Sequence, residues 1–199
     1  IDACIIASVV DELNKRVKQA ADNVFHLNSI LLSSKLNLGI KLNLKNPKEA
    51  GADRIANACG AYVLYSKPAI IVDLGTATTF DILDKDGNFI GGVIMPGLNL
   101  QFRALNKSTS KLPRIEADTV EKAIGNNTVD AILSGVIRGS ACAIEGLINQ
   151  CEKELGEKAC IVATGGYSSL IAKYMTREFD FVNPYLTLEG LRFLYELNK

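Results

Sequence analysis

The sequence predicts an α/β protein built from two lobes, and three observations carry that reading. A continuous β-prone run at residues 3–10 leads straight into a helical pattern, the strand-then-helix order of layered α/β architectures. Short apolar runs divided by turn residues follow between 69 and 93, and the rest of the chain is helical around one or two further strands. The change of texture falls at Lys67-Pro68, a junction that disfavours helix at the residue before proline. The expected lobes are therefore 1–67 and 68–199.

Each element has its own signal. Ala3-Cys4-Ile5-Ile6-Ala7-Ser8-Val9-Val10 shows no polar alternation, as expected of a central strand covered on both faces. Asp11 can accept hydrogen bonds from the amides of a following helix, and Leu13, Val17, Ala20 and Ala21 recur at helical spacing towards Asp22. Asn46-Pro47-Lys48-Glu49 combines a capping residue, a proline and a first-turn acid, and so predicts a helix start; Ile55, Ala58, Cys59 and Tyr62 continue it. Runs at 69–73, 78–83 and 89–93, separated by Gly75 and by Asp84-Lys85-Asp86-Gly87, predict a meander of three antiparallel strands. Helices are expected at 98–106 and 129–155, a strand at 159–163, a helix at 168–174, a last strand at 179–182 and a closing helix at 186–197. Such an order fits the second lobe of an actin-like (ribonuclease H-like) kinase better than a Rossmann domain, where strands and helices alternate strictly.

Composition narrows the function classes. The 199 residues are 48% apolar, and 22 Lys plus Arg balance 22 Asp plus Glu, so no global field draws the chain to nucleic acid or to an anionic membrane. A small polar substrate in a cleft suits that neutrality. Five cysteines without a C-x-x-C pair argue against a disulfide framework or zinc knuckle and are expected to be reduced and mostly buried. The apolar runs at 3–10 and 69–72 are too short to span a bilayer and no basic-then-apolar leader opens the chain, so the expected compartment is the cytoplasm. The chain opens on Ile1, in what reads as the middle of a strand, and is expected to begin inside a lobe.

Four stretches carry candidate chemistry. In Val72-Asp73-Leu74-Gly75-Thr76-Ala77-Thr78-Thr79 an acid ends an apolar strand, a glycine permits a tight turn, and hydroxyls and amides follow. That pattern can hold a cation and bind phosphate oxygens, or it is an ordinary hairpin with a polar turn. Gly51-Ala52-Asp53-Arg54 places an acid and a base together at a helix start; phosphoryl transfer to an alcohol needs a proton acceptor and a cation for an anionic substrate, but a solvated surface pair reads the same way. Thr164-Gly165-Gly166 ends a strand with two bare residues against which a nucleotide can lie, or makes a plain strand-to-helix turn. Thr128, after Gly125-Asn126-Asn127, either caps the long helix or touches a substrate. His26, the one histidine, is expected as a strand-edge or surface residue; Thr187 and Glu189 are expected as a cap and a first-turn acid, and 107–111 as a basic loop.

In their order and neighbours these stretches resemble the type III pantothenate kinases. The resemblance runs through Asn46-Pro47, Gly51-Ala52-Asp53-Arg54-Ile55-Ala56-Asn57-Ala58, Val72 to Asp81, Gly91-Gly92-Val93-Ile94-Met95-Pro96-Gly97-Leu98, Gly125 to Thr128 with Ser134-Gly135, Thr164-Gly165-Gly166, and Leu186 to Leu191. It implies an actin-like fold and phosphorylation of pantothenate with ATP, the first step of coenzyme A biosynthesis. By the same resemblance Asp53 is the proton acceptor and Gly51, Ala52, Asp53, Arg54 and Thr128 line the pantothenate pocket. Asp73 holds a monovalent cation, K⁺ or NH₄⁺, and Gly75, Thr76, Gly165 and Gly166 meet ATP. Mg²⁺ and a homodimer that shares its substrate pocket are implied as well.

Two departures stand out against the family pattern. Members open with an Asp-x-Gly-Asn-Thr phosphate loop that is not found here before Ile1, so the first lobe is expected to be incomplete and this chain alone weakly active or inactive. Leu44 stands where the family commonly has a pantothenate-contacting tyrosine, which keeps an apolar contact and forfeits a hydroxyl. The alternatives are a kinase-like regulatory accessory factor without catalytic activity and an actin-like phosphotransferase for a sugar or acetate. No basic stripe speaks for nucleic acid.

Overall fold

The computed structural model describes residues 1–108 and 112–199. Thr109, Ser110 and Lys111, the centre of the expected basic loop, lie outside the described residues. The chain divides into two compact units. The first comprises Ile1–Ala69, Asp81–Gly91 and Tyr185–Lys199, the second Ile70–Phe80 and Gly92–Pro184.

In the first unit, β1 (Ile5–Ile6) and β2 (Ile30–Leu31) pair in parallel through the intervening α1 (Asp11–Phe25). The expected central strand over 3–10 is thus reduced to two residues. Among the described residues it pairs with β2 in a two-stranded sheet, so its residues are half-buried while Val9 and Val10 are exposed. Ile5 and Ala7 still pack against the unit's core of Leu32, Leu38, Ala52, Ile55, Ala56, Cys59 and Leu194. α1 ends where His26 takes the left-handed conformation (φ 53°) and its amide caps Asp22. The histidine side chain is exposed, as expected. Asp22 accepts from Lys18 Nζ at 2.8 Å and from the Ser29 amide at 2.6 Å, which holds its carboxyl down at about 2.

The helix expected from Asn46 is interrupted. Pro47–Glu49 makes a single 3₁₀ turn, with Asn46 Nδ2 donating to Glu49 Oε1 at 2.9 Å, and Ala50 and Gly51 then leave the helical region. A second helix, α2 (Ala52–Leu64), starts afresh with Gly51 as its cap. The signals at Asn46 therefore close one turn, and the renewed start puts Asp53 in the first turn of its own helix. α2 packs on the closing helix α7 (Leu186–Asn198), and glycines set how closely. A Cβ on Gly190 would fall on the Ala56 carbonyl, and one on Gly60 would lie 2.9 Å from the Leu186 carbonyl. Thr187, expected as a cap, instead donates to Asn57 Oδ1 at 2.7 Å, because it lies inside α7 on the face turned to α2.

A five-stranded mixed sheet in the order β5-β4-β3-β6-β7 runs through the second unit, while Ala69 of β3, Asp81 to Leu83 of β4 and Phe89 to Gly91 of β5 belong to the first. Its strands are β3 (Ala69–Leu74), β4 (Ala77–Leu83), β5 (Phe89–Pro96), β6 (Cys160–Thr164) and β7 (Phe181–Val182). Only Gly75 and Thr76 join β3 to β4, a link too short for anything but an antiparallel pair. The meander is therefore present as predicted, whereas β6 and β7 run parallel, with Val162 opposite Phe181. β3 is central and buried along its length except for the half-buried Asp73.

The unit's helices are α3 (Leu98–Ser108), α4 (Thr128–Leu133), a π-helical turn (Ser134–Arg138), α5 (Gly139–Leu155) and α6 (Ser168–Ala172). The run from Thr128 to Leu155, 28 residues, is long and apolar enough to cross a membrane by length and composition, which the reading of uninterrupted apolar runs did not anticipate. Half of its most apolar window is buried, with Ile137, Ala141, Ile144 and Ile148 in the core. That face is already committed to the protein's own interior.

Among the described residues all five cysteines are free thiols, but the expectation that most are buried is corrected: Cys59 is buried, Cys142 is exposed and the others lie between. Cys59 donates to the Leu38 carbonyl at 3.4 Å, and burial pushes its thiol up to about 12. It is a packing residue of the first unit's core.

One buried charge cluster ties the second unit together. Glu152 of α5, 5% exposed, accepts from Arg177 Nη1 and Nη2 and from Lys158 Nζ, each at 2.8 Å, and from the Ala159 amide at 3.1 Å. Led by the Arg177 pair, these bonds hold its carboxyl well below its ordinary 4.5, at about 2. A depressed carboxyl stabilises the fold above its unfolded value and loses that contribution as pH falls through its folded one. Relative to Glu152→Gln, the protein should be more stable by on the order of 3 kcal/mol at neutral pH. That advantage should shrink below pH 4.5 and be gone near pH 2 in parallel denaturant melts; a constant difference across this window would count against the cluster.

Candidate active site

The first unit supplies the Gly51 to Arg54 stretch. Gly51 caps α2 in extended backbone (φ −59°, ψ 144°), Ala52 is buried in the core, and Asp53 is exposed in the first turn. An acid there complements the unpaired amides of the helix N-terminus. Asp53 Oδ1 accepts the Arg54 amide at 2.8 Å, which holds the carboxylate beside the chain and leaves it accessible.

Arg54 does not behave as a solvated surface cation. Its Nε donates to Asp81 Oδ1 at 2.6 Å, the Asp81 side chain is fully buried, and that of Arg54 is 19% exposed. The guanidinium carbon lies 5.5 Å from the centroid of the Phe89 ring. Phe89 is itself fixed by backbone hydrogen bonds to Lys41 and Asn43, 2.9 and 2.8 Å long. Sequence reasoning singled out Arg54 and missed Asp81, although Phe80-Asp81 closes one of the stretches quoted for the resemblance. The missed signal was an acid inside an otherwise apolar strand, since a buried charge must be paired.

In the second unit two separately predicted stretches converge. Asp73 lies at the end of β3, and Gly165, at the end of β6, takes φ +86° directly against it. A Cβ at Gly165 would stand 2.5 Å from Asp73 Oδ1 and 2.7 Å from the Leu74 nitrogen. The turn is locked by Tyr167 donating to the Leu74 carbonyl at 3.3 Å and by Ser168 Oγ donating to the Gly165 carbonyl at 2.8 Å. On another side the Gly97 amide donates to the Thr76 carbonyl at 3.2 Å. Gly97 thus belongs to the surroundings of this loop, a role that its place among the resemblance residues did not disclose. Thr76 and Gly166 are exposed, and Gly75 and Gly165 are partly so. Nearby, Tyr167 joins Asn99, Phe102, Arg103, Lys107 and Arg114 around a cavity of about 540 Å³.

Thr128 is not the cap of its helix. Asn127 is, accepting the Asp130 amide at 2.9 Å. Asparagine caps at least as well as threonine, and it stands one residue earlier, so the Thr128 hydroxyl is released from capping. Thr128 is exposed and lines a groove of about 680 Å³ with Leu105, Leu112, Ala131 and Ile132.

Comparison with known proteins shows the family. The family model described as type III pantothenate kinase matches residues 1–150. The chain belongs to the type III pantothenate kinases. A type III pantothenate kinase of Dehalococcoides mccartyi (strain CBDB1) is 47% identical over 199 residues, covering 100% of this chain and 75% of the relative. One of Roseiflexus sp. (strain RS-1) is 41% identical, covering 100% and 78%. Among solved structures, a conserved Campylobacter jejuni protein described as a Baf family transcriptional activator superposes with a TM-score of 0.68 over 98% of this chain and 83% of its own. At 20% identity that likeness speaks for the fold alone.

This pantothenate kinase chain is therefore an enzyme, and it has the α/β fold expected from its sequence. Leu44, its departure from the family pattern, is half-buried and lies two positions beyond Leu42, which bridges to Phe89. The residue is thus close in sequence to the strand contact that also fixes the ring under Arg54.

Gly165 gives the most direct test of the second unit's loop. Gly165→Ala forces a β-carbon into left-handed backbone, costing about 1–2 kcal/mol, and drives it onto the Asp73 carboxylate. ATP affinity should fall about tenfold or more in calorimetric titration with pantothenate affinity unchanged. Wild-type ATP binding by this variant would show that the Asp73 and Gly165 contact has no part in the nucleotide site.

Proposed function

We propose that this chain phosphorylates pantothenate with ATP in coenzyme A biosynthesis, with Asp53 as proton acceptor and the Asp73 loop as the ATP and cation site. The observation that carries the reading is the packing of Gly165 against Asp73, which brings two sequence stretches of one expected function to a single backbone junction. The accessible Asp53 carboxylate at the start of α2 supports the other half.

In this reaction the pantothenate hydroxyl oxygen forms a bond to the γ-phosphorus as the bond from that phosphorus to the ADP oxygen breaks. Asp53 accepts the hydroxyl proton, and Gly51, Ala52 and Arg54 line the pocket around it. Most of the acceleration in such transfers comes from positioning and charge. Gly75, Thr76, Gly165 and Gly166 let the nucleotide approach the main chain, and Arg103 and Arg114 border the adjoining cavity.

The residues around Asp73 fit a monovalent cation. The carboxylate is half-buried at the end of β3, and Gly165 approaches its Oδ1 without a side chain. Hard oxygen donors suit K⁺ or NH₄⁺, and Mg²⁺ accompanies the ATP phosphates. Such ions, when bound, offset phosphate charge.

We also propose that the protein acts as a homodimer, in the cytoplasm, with the groove beside Thr128 facing a second copy. The exposed Thr128 hydroxyl and the apolar lining of Leu105, Leu112 and Ile132 support this. Light scattering should read twice the 21.5 kDa chain mass, and a monomer at working concentration would remove the dimer from the proposal. No observation favours the regulatory reading.

Asp53→Asn should fold like the parent by circular dichroism and lower turnover by about 10²-fold or more in a coupled ADP assay. The same assay in K⁺ should exceed that in Na⁺, and Asp73→Asn should erase the difference. Parental turnover in Asp53→Asn would end its assignment as the base.

A further inference from the structure

We infer that Asp81 is a positioning residue for pantothenate, acting through Arg54. The inference rests on the proposal that Arg54 lines the pantothenate pocket, and it assigns a role to a residue outside that set. Asp81 lies in β4 with no exposure at all. A carboxylate is placed there only at a large desolvation cost unless it is held by an opposite charge at short range. Arg54 Nε is that partner, at 2.6 Å.

The atom used matters. A bond through Nε fixes rotation about the last carbon to nitrogen bond of arginine, so the plane of the guanidinium is set by Asp81. The Phe89 ring, 5.5 Å from the guanidinium carbon, limits the same plane by stacking. Two constraints on one planar group, with 19% of the side chain still exposed, describe an arginine held in one orientation at the surface. The pattern suits recognition of a planar carboxylate, which depends on the geometry of the guanidinium donors more than on bulk charge. Pantothenate carries one carboxylate. Because Asp81 also offsets the Arg54 charge, the orientation of the guanidinium would matter here more than a diffuse positive field.

Asp53 is linked to the same geometry. Its Oδ1 accepts the backbone amide of Arg54, so the residue whose side chain is anchored on Asp81 is also the residue that steadies the proposed base. Misplacing Arg54 should therefore disturb the alignment of the acceptor as well as the hold on the substrate.

A double-mutant cycle read by pantothenate titration tests this, with ATP affinity and melting temperature measured alongside. Arg54→Gln and Asp81→Asn should each weaken pantothenate binding about tenfold, as for loss of one charge-assisted hydrogen bond. The double variant should be no weaker than the worse single one, since both act through one group. ATP affinity should stay within about twofold, which general loosening of the fold would not allow. If Asp81→Asn does not fold, Phe89→Leu removes the stacking constraint and should weaken pantothenate binding in the same selective way. Additive losses, tighter or unchanged binding in Asp81→Asn, or equal losses for ATP and pantothenate would overturn the inference while leaving the pocket reading intact. Parental pantothenate affinity in Arg54→Gln, or no pantothenate binding by the wild-type chain, would instead defeat the pocket reading and this inference with it.

Discussion

The second unit depends on the end of one strand. β3 sits between β4 and β6, is buried on nearly every residue, and releases its only half-buried side chain at Asp73. The chain leaving β6 must then pass over the end of β3, where a Cβ would strike both the Asp73 carboxylate and the Leu74 backbone. Only a residue without one, and able to hold φ +86°, can make that turn. Strand order, buried β3 and bare Gly165 are thus one constraint, and it brings the Asp73 and Gly165 stretches together where the sheet stops.

The first unit solves a different problem with the same economy of small residues. Gly60, Ala56 and Gly190 let α2 and α7 approach until backbone meets backbone, and the Thr187 to Asn57 hydrogen bond lies in the same contact. This contact anchors the body of α2. Its first turn, carrying Asp53 and Arg54, projects from an anchored helix rather than from a loop. The proposed base is thus held by the packing behind it, which suits accurate proton transfer.

Much of this was legible in the sequence, for identifiable reasons. The meander at 69–96, the helix over 128–155 and the strand at 160–164 carry strong periodicity and clear turn residues, and they appear with boundaries shifted by a few residues. The Asp73 and Gly165 stretches stood out as an acid and glycines at strand ends, each with a plain turn as the alternative, and the structure brings them together. What was not legible depended on partners distant in the chain. Residues 3–10 look like a covered strand, but the pairing that decides this is made by Ile30 and Leu31 alone. Thr187 looks like a cap until Asn57, 130 residues away, is placed beside it. The Asn46 signals mark a helix start, and nothing local shows that it is a single turn followed by a second start at Gly51.

Asp81 illustrates the limit most clearly. In sequence it is one acid in the middle of Thr78-Thr79-Phe80-Asp81-Ile82-Leu83, and such a residue reads equally as the exposed position of an edge strand. Burial reverses that meaning. A carboxylate with no exposure requires a cation, and the cation it holds is Arg54, which the sequence had already marked for the substrate. The arginine thus owes its orientation to a strand residue 27 positions away, so on the proposed reading recognition of an anionic substrate belongs to a pair of residues and not to a single basic side chain.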